Sequence, residues 1–225
     1  MENSPIEKDY SKDSKNLYIF FGGRGKGIAM PRFEFYNAAK ILDDNKIFIR
    51  DFKQCWYHAG LPGISDDILS TATFIKQEIE QLKPEKVYFV GNSMGGYAAI
   101  LFSHLTGYGN VICFSPQTFI SPTARLRHGD FRWFINILYV YLTSLFKNKA
   151  WDLKKLLSKK TSDQTISIYV SNDHRLDSIH ANNLKTIHGV KIFGFKGGGH
   201  KIVQVLRDEG KLPLIMLDQY TETKE

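Results

Sequence analysis

"VYFVGNSMGGYAAILF", residues 87–102, runs from a β-branched and aromatic segment through a glycine-flanked serine into small residues of helical character. The first part has the composition of a buried strand and the last that of a helix. Gly91-Asn92-Ser93-Met94-Gly95 fits the pattern G-x-S-x-G in the required strand–turn–helix context. A serine in so sharp a turn needs small residues two before and two after it, because strand and helix pack closely there. The strain leaves Oγ exposed above the sheet, where a helix N-terminus adds positive potential. Ser93 is therefore the candidate nucleophile. The structural alternative is a phosphate-binding or merely tight turn.

Working outward, apolar runs alternate with helical patterns. "LYIFF" (17–21), "KIFIR" (46–50), "KVYFV" (86–90), "NVICF" (110–114), "TISIYV" (165–170) and "VKIFGF" (190–195) read as buried strands. "PRFEFYNAAKILDD", "ISDDILSTATFIKQEIEQLK", "SMGGYAAILFSHLTG" and "DSIHANNLKTI" carry apolar residues every three to four positions, as amphipathic helices do. Ser65 or Asp66 is the expected cap of the second, and Pro84 follows its end. Such alternation predicts an α/β fold: a mostly parallel central sheet of about six strands with helices on both faces. Residues 1–15 read as a polar tail and 16–225 as one domain. Residues 116–164 hold no convincing strand and read as a helical cap or lid insertion. Within it, 131–146, "FRWFINILYVYLTSLF", has 12 apolar or aromatic residues in 16, and the following "KNKAWDLKKLLSKK" carries six lysines. As a helix the first would span only about 24 Å, short of a bilayer core.

Bulk properties narrow the classes of function. The 225 residues are 43% hydrophobic and 24% charged, ordinary for a globular chain. The polar start has no apolar core of a signal peptide, and Cys55 and Cys113 lack metal-ligand spacing, so a cytoplasmic location with reduced thiols is expected. The net charge of +7 comes without any nucleic-acid-binding motif, so no nucleic-acid partner is expected. No transmembrane segment is expected; peripheral membrane contact remains open, and the oligomeric state is not specified by the sequence.

A serine hydroxyl attacks only when a base takes its proton and an acid orients that base. "GFKGGGHKIVQVL" ends a strand and presents His200 after three glycines, which makes it the candidate base. After "ISIYV" comes "SNDHRLD", offering Asp173 and Asp177. Asp173 stands just beyond the strand end and is the favoured acid. Asp177 directly precedes the helical pattern, where an aspartate also serves as an N-cap, and it stays in play.

Ser, then Asp, then His at the ends of successive parallel strands resembles the α/β-hydrolase superfamily, over roughly residues 16–212. "GNSMGG", "SNDHRLD" and "GGGH" carry the resemblance most specifically. It implies an oxyanion hole from the Met94 backbone amide and one in "FFGGRGKG", with Gly23 the donor and Gly22 and Arg24 its neighbours. The chain departs from the pattern by starting at what would be the third strand, and by placing phenylalanine before the glycines where many relatives have histidine. Neither change removes a catalytic group.

Trp56, Tyr57 and Gln117 are expected near the pocket mouth, with core packing the alternative for Trp56 and Tyr57. The aromatic insertion suits cap packing, acyl binding or an interface. The expected activity is cleavage of an ester or thioester on a small-molecule, glycan-linked or lipid-linked acyl substrate, through an acyl-enzyme. An acyltransferase using the same triad and an inactive binding scaffold are the alternatives. No metal or organic cofactor is implied.

Overall fold

The computed structural model describes residues 4–12, 14–24, 34–143, 150–158 and 164–220. Seven strands form one sheet: β1 (Ile6–Asp9), β2 (Asn16–Phe21), β3 (Asn45–Ile49), β4 (Lys86–Asn92), β5 (Asn110–Phe114), β6 (Ile166–Ser171) and β7 (Val190–Phe195). Their order is β1-β3-β2-β4-β5-β6-β7, and only β1 runs antiparallel to its neighbour.

The inner strands are apolar on both faces because helices cover both. Leu17, Ile19 and Phe21 of β2 face one layer, while Tyr18 and Phe20 face the other. The first layer contains α1 (Ile68–Leu82) and α2 (Met94–Thr106). Phe21 there stacks on Phe89 and Phe102, with ring centroids 6.1 and 5.5 Å away. Each fully buried phenylalanine stabilises the fold by about 1.5–3 kcal/mol. The second layer contains α7 (Ile202–Asp208) and α8 (Lys211–Met216), whose Ile202, Leu206, Leu212 and Ile215 meet Tyr18, Phe20 and Tyr88.

The structure corrects several expectations. Residues 1–15 are not simply a tail: Ile6–Asp9 pairs with β3, and Lys8 Nζ lies 2.6 Å from Glu78 of α1. A short edge strand with three charged residues in four has no alternating pattern to read. The cap of α1 is Asp67, which accepts from the Ser70 amide at 2.8 Å while Ser70 Oγ accepts from the Asp67 amide at 3.1 Å. Lys83, at φ 47°, closes the helix, since the following proline disfavours a further helical residue. The helix expected over 31–44 reduces to one 3-10 turn, Ala38–Ile41, with residues 31–33 outside the described ones.

Between β5 and β6 lie α3 (Pro122–His128), α4 (Phe134–Thr143) and α5 (Leu153–Leu157), with one bridge from Phe119 to Asp152. Ile137 and Val140 of α4 are buried, whereas Phe134, Ile135, Leu138 and Leu142 are exposed. Lys154 and Lys155 are exposed on α5; the cluster's other lysines lie outside the described residues. Among the described residues, no helix is long and apolar enough to cross a membrane.

Candidate active site

Ser93 sits between β4 and α2 with φ 53° and ψ −114°. A positive φ is costly for a residue with a Cβ, and the fold holds it by hydrogen bonds. The Ser93 amide donates to Phe114 O at 2.9 Å, and its carbonyl accepts from the Tyr97 and Gln117 amides at 3.1 and 3.2 Å. The flanking glycines are required sterically. A Cβ at Gly91 would meet Gly95 O at 2.1 Å, and one at Gly95 would meet Phe21 O at 2.1 Å.

His200 lies on the 3-10 turn Gly199–Lys201 after β7. Gly197, Gly198 and Gly199 have φ values of 78°, 80° and 50°, so three successive positions need a residue without a Cβ. This bend carries the imidazole back over the sheet. Its Nε2 lies 3.1 Å from Ser93 Oγ, and its Nδ1 lies 2.6 Å from Asp177 Oδ2.

Asp177, rather than the favoured Asp173, therefore faces the histidine. It stands within α6 (Arg175–Asn183), one turn in, and is 1% exposed. It does not cap that helix; His174 does, its Nδ1 accepting from the Asp177 amide at 3.2 Å. Asp173 is exposed, and its Oδ2 accepts from the Gly197 amide, pinning the glycine turn. Proximity to the strand end misled because only Asn172, Asp173 and His174 separate β6 from α6, so the helix's first turn already reaches the histidine.

Burial alone would raise the Asp177 pKa, but the His200 hydrogen bond and charge, and then those of Arg132, hold its carboxyl below the usual range. Arg132 Nη1 donates to Asp177 Oδ1 at 2.9 Å. The Arg132 Nε and Nη2 atoms grip Asp130, each at 2.9 Å, and His180 Nε2 lies 2.9 Å from Asp130 Oδ2. These residues escaped sequence reading. Arg132 did leave a trace, as the only charged residue in 131–146.

His174, Asp177 and His200 bring three potential ligand atoms within 4.8 Å. Such a group could hold a metal ion, but the hydrogen bonds at these atoms already account for their approach.

The implied oxyanion donors differ from each other. The Met94 amide opens α2, where no intrahelical carbonyl can reach it. The Gly23 amide instead donates to Glu34 Oε2 at 2.5 Å, and Asn92 Nδ2 donates to Glu34 Oε1 at 2.9 Å. Burial pushes the Glu34 carboxyl pKa up, despite these hydrogen bonds and the pull of His200. Gly22 lies just behind, its carbonyl accepting from Tyr57 Oη at 2.9 Å. Arg24 turns toward α4: its guanidinium lies 4.0 Å from the Trp133 ring, and Nη1 donates to Asn136 at 2.9 Å. The rest of "FFGGRGKG", from Gly25 on, lies outside the described residues.

Trp56 and Tyr57, placed at the mouth from sequence, are wholly buried instead. Gln117, 2% exposed, accepts from Trp56 Nε1 at 2.9 Å. The reason is local: Asp51 accepts from the Lys53, Cys55 and Tyr57 amides at 3.0, 2.7 and 2.9 Å. That turn gives Gln54, Trp56 and Tyr57 positive φ and folds both rings inward. An open groove lined by Val170, Lys185 and Ile192, between α6 and β7, includes no residue of the Ser93–His200–Asp177 chain.

Neither a sequence-family model nor a curated protein matches this sequence. Solved structures do match its fold. The capsule O-acetyltransferase of Neisseria meningitidis serogroup A aligns with a TM-score of 0.64 at 17% identity, over 96% of this chain and 92% of that one. A mutant of that enzyme in complex with CoA aligns at 0.61 and 19%, over 92% and 90% of the two chains. MenH from S. aureus aligns at 0.61 and 13%, over 95% and 97%. A lipase-esterase related protein from Clostridium acetobutylicum aligns at 0.60 and 16%, over 96% and 99%. With its parallel sheet, its serine turn after β4 and these likenesses, the chain has the α/β-hydrolase fold.

Proposed function

We propose that this protein is a serine-dependent enzyme that cleaves an ester or thioester through an acyl-enzyme on Ser93. The hydrogen-bonded chain Ser93–His200–Asp177 is the observation that carries the reading. Ser93 Oγ attacks the acyl carbonyl carbon as His200 Nε2 takes its proton. Asp177 holds the imidazole and stabilises its positive charge. The Met94 amide stabilises the tetrahedral oxyanion, joined by the Gly23 amide once the substrate oxygen replaces the Glu34 carboxylate there. Collapse expels the leaving group, which takes the proton from His200. Water, activated by the same histidine, then releases the acyl group and restores Ser93.

The likeness to a capsule O-acetyltransferase, one of whose structures holds CoA, favours a second reading. The acyl-enzyme would then be discharged by a glycan hydroxyl rather than water. The two differ only in which nucleophile reaches the acyl group.

Labelling with a fluorophosphonate and mass mapping of the modified residue tests the shared step. The adduct is expected on Ser93 and absent from Ser93→Ala; equal labelling of both proteins refutes the nucleophile. Short p-nitrophenyl esters and acyl-CoAs, each with and without polyol or oligosaccharide acceptors, separate hydrolysis from transfer.

A further inference from the structure

The segment leading into α4, with the first turn of that helix, contacts both sides of the site: Arg132 meets Asp177, while Trp133 and Asn136 meet Arg24 of the loop after β2. Arg132 is the more consequential. Its guanidinium lies between two buried carboxylates, gripping Asp130 with two nitrogens and Asp177 with the third. Asp130 is itself held from behind. The Thr118 amide donates to His180 Nδ1 at 3.1 Å, so His180 carries its proton on Nε2 and donates it to Asp130. Phe119 stacks on His180 with centroids 4.0 Å apart, and Arg125 donates to the Arg132 carbonyl at 2.7 Å.

The geometry points to Arg132 as a positioning residue for the Asp177–His200 pair, turning one carboxylate oxygen toward itself so that the other faces the imidazole. This assignment rests on the serine reading given above. The reasoning is electrostatic as well as geometric. The groups facing the pair are Asp130 and Arg132 ahead of α4, Arg125 of α3 behind them, His174 at the cap of α6 and His180 within it, and Glu34 beside the Gly23 amide. With His180 neutral, Arg132 balances one of the two aspartates there. Removing its charge takes from both carboxylates their hydrogen-bonded cation and leaves Arg125 acting on Asp130 alone, which favours the protonated imidazole and starves Ser93 of a proton acceptor.

The test is the pH dependence of fluorophosphonate labelling of Ser93 in the full chain, for wild type, Arg132→Lys and Arg132→Gln. Arg132→Gln is expected to label about 10- to 100-fold more slowly at neutral pH, with its acid limb moved up by about one pH unit. Arg132→Lys keeps the charge and loses the fork, so its acid limb should stay near wild type while its rate falls. A folded Arg132→Gln protein with the wild-type rate and limb overturns the assignment. If that variant does not fold, Arg132→Gln/Asp130→Asn removes the unbalanced charge. Slow labelling there supports the role, and wild-type labelling overturns it. Labelling that survives in Ser93→Ala overturns the serine reading itself, a result distinct from any outcome at Arg132.

Discussion

His200 Nε2 lies 3.1 Å from Ser93 Oγ although 107 residues separate the two in the chain. The pair is assembled by parallel pairing of β4 through β7, which stacks the strand ends of distant segments side by side. Ser93→Ala and His200→Ala should each lower ester turnover by at least about 10³-fold, and the double variant should be little worse than either. Independent, multiplying losses in steady-state kinetics would show that the residues do not act as one unit.

Asp177 and Asp173 sit four residues apart and do different work in this structure. Asp177→Asn should cost about 10⁴-fold in turnover, because an amide can hold the imidazole in the wrong tautomer. Asp173→Asn loosens only the Gly197 turn, and its loss should stay within about tenfold. Steady-state rates for the two variants decide between them; a larger loss at Asp173 reverses the assignment.

The bend at Ser93 opposes stability. Ser93→Gly should raise unfolding free energy by about 1 kcal/mol, because glycine adopts a positive φ without strain. Gly91→Ala should lower it by about 1–3 kcal/mol, since its new methyl meets the Gly95 carbonyl. Urea unfolding midpoints measure both. A Ser93→Gly protein less stable than its parent would mean that the turn is relaxed.

His58 is buried against Tyr97, its Nε2 2.9 Å from the hydroxyl, and Tyr97 donates in turn to the Ala150 carbonyl. Burial lowers its pKa from 6.5 to about 3. Between those values His58 binds a proton in the unfolded chain and none in the folded one. The His58 contribution is therefore full above about pH 6.5 and is lost on acidification, by about 1.4 kcal/mol per pH unit, until about pH 3. His58→Gln should remove about 2 kcal/mol of the loss between pH 6.5 and 5. Identical pH slopes for the two proteins, from urea unfolding at both pH values, would contradict this.

The six inner and outer parallel strands were legible in the sequence because each is an apolar run between turn residues, as in 86–90 and 110–114. Ser93 and His200 were legible because their turns demand glycine, and glycine is conspicuous. The rest depended on distance in space. Nothing local in "SNDHRLD" says which aspartate an imidazole from β7 will reach. Trp56 and Tyr57 turn inward because Asp51 gathers three amides, a pattern with no periodicity to detect. Glu34 and Arg132 find their partners 11 and 45 residues away, and neither spacing belongs to a helix or strand repeat.

Among the described strands β7 comes last in the chain, and the turn behind it carries the proposed base. During synthesis the hydroxyl at the elbow can be bent into place well before anything exists to deprotonate it. On the proposed reading, a fragment that stops before β7 keeps the bent hydroxyl but lacks His200, and is expected to take up no fluorophosphonate.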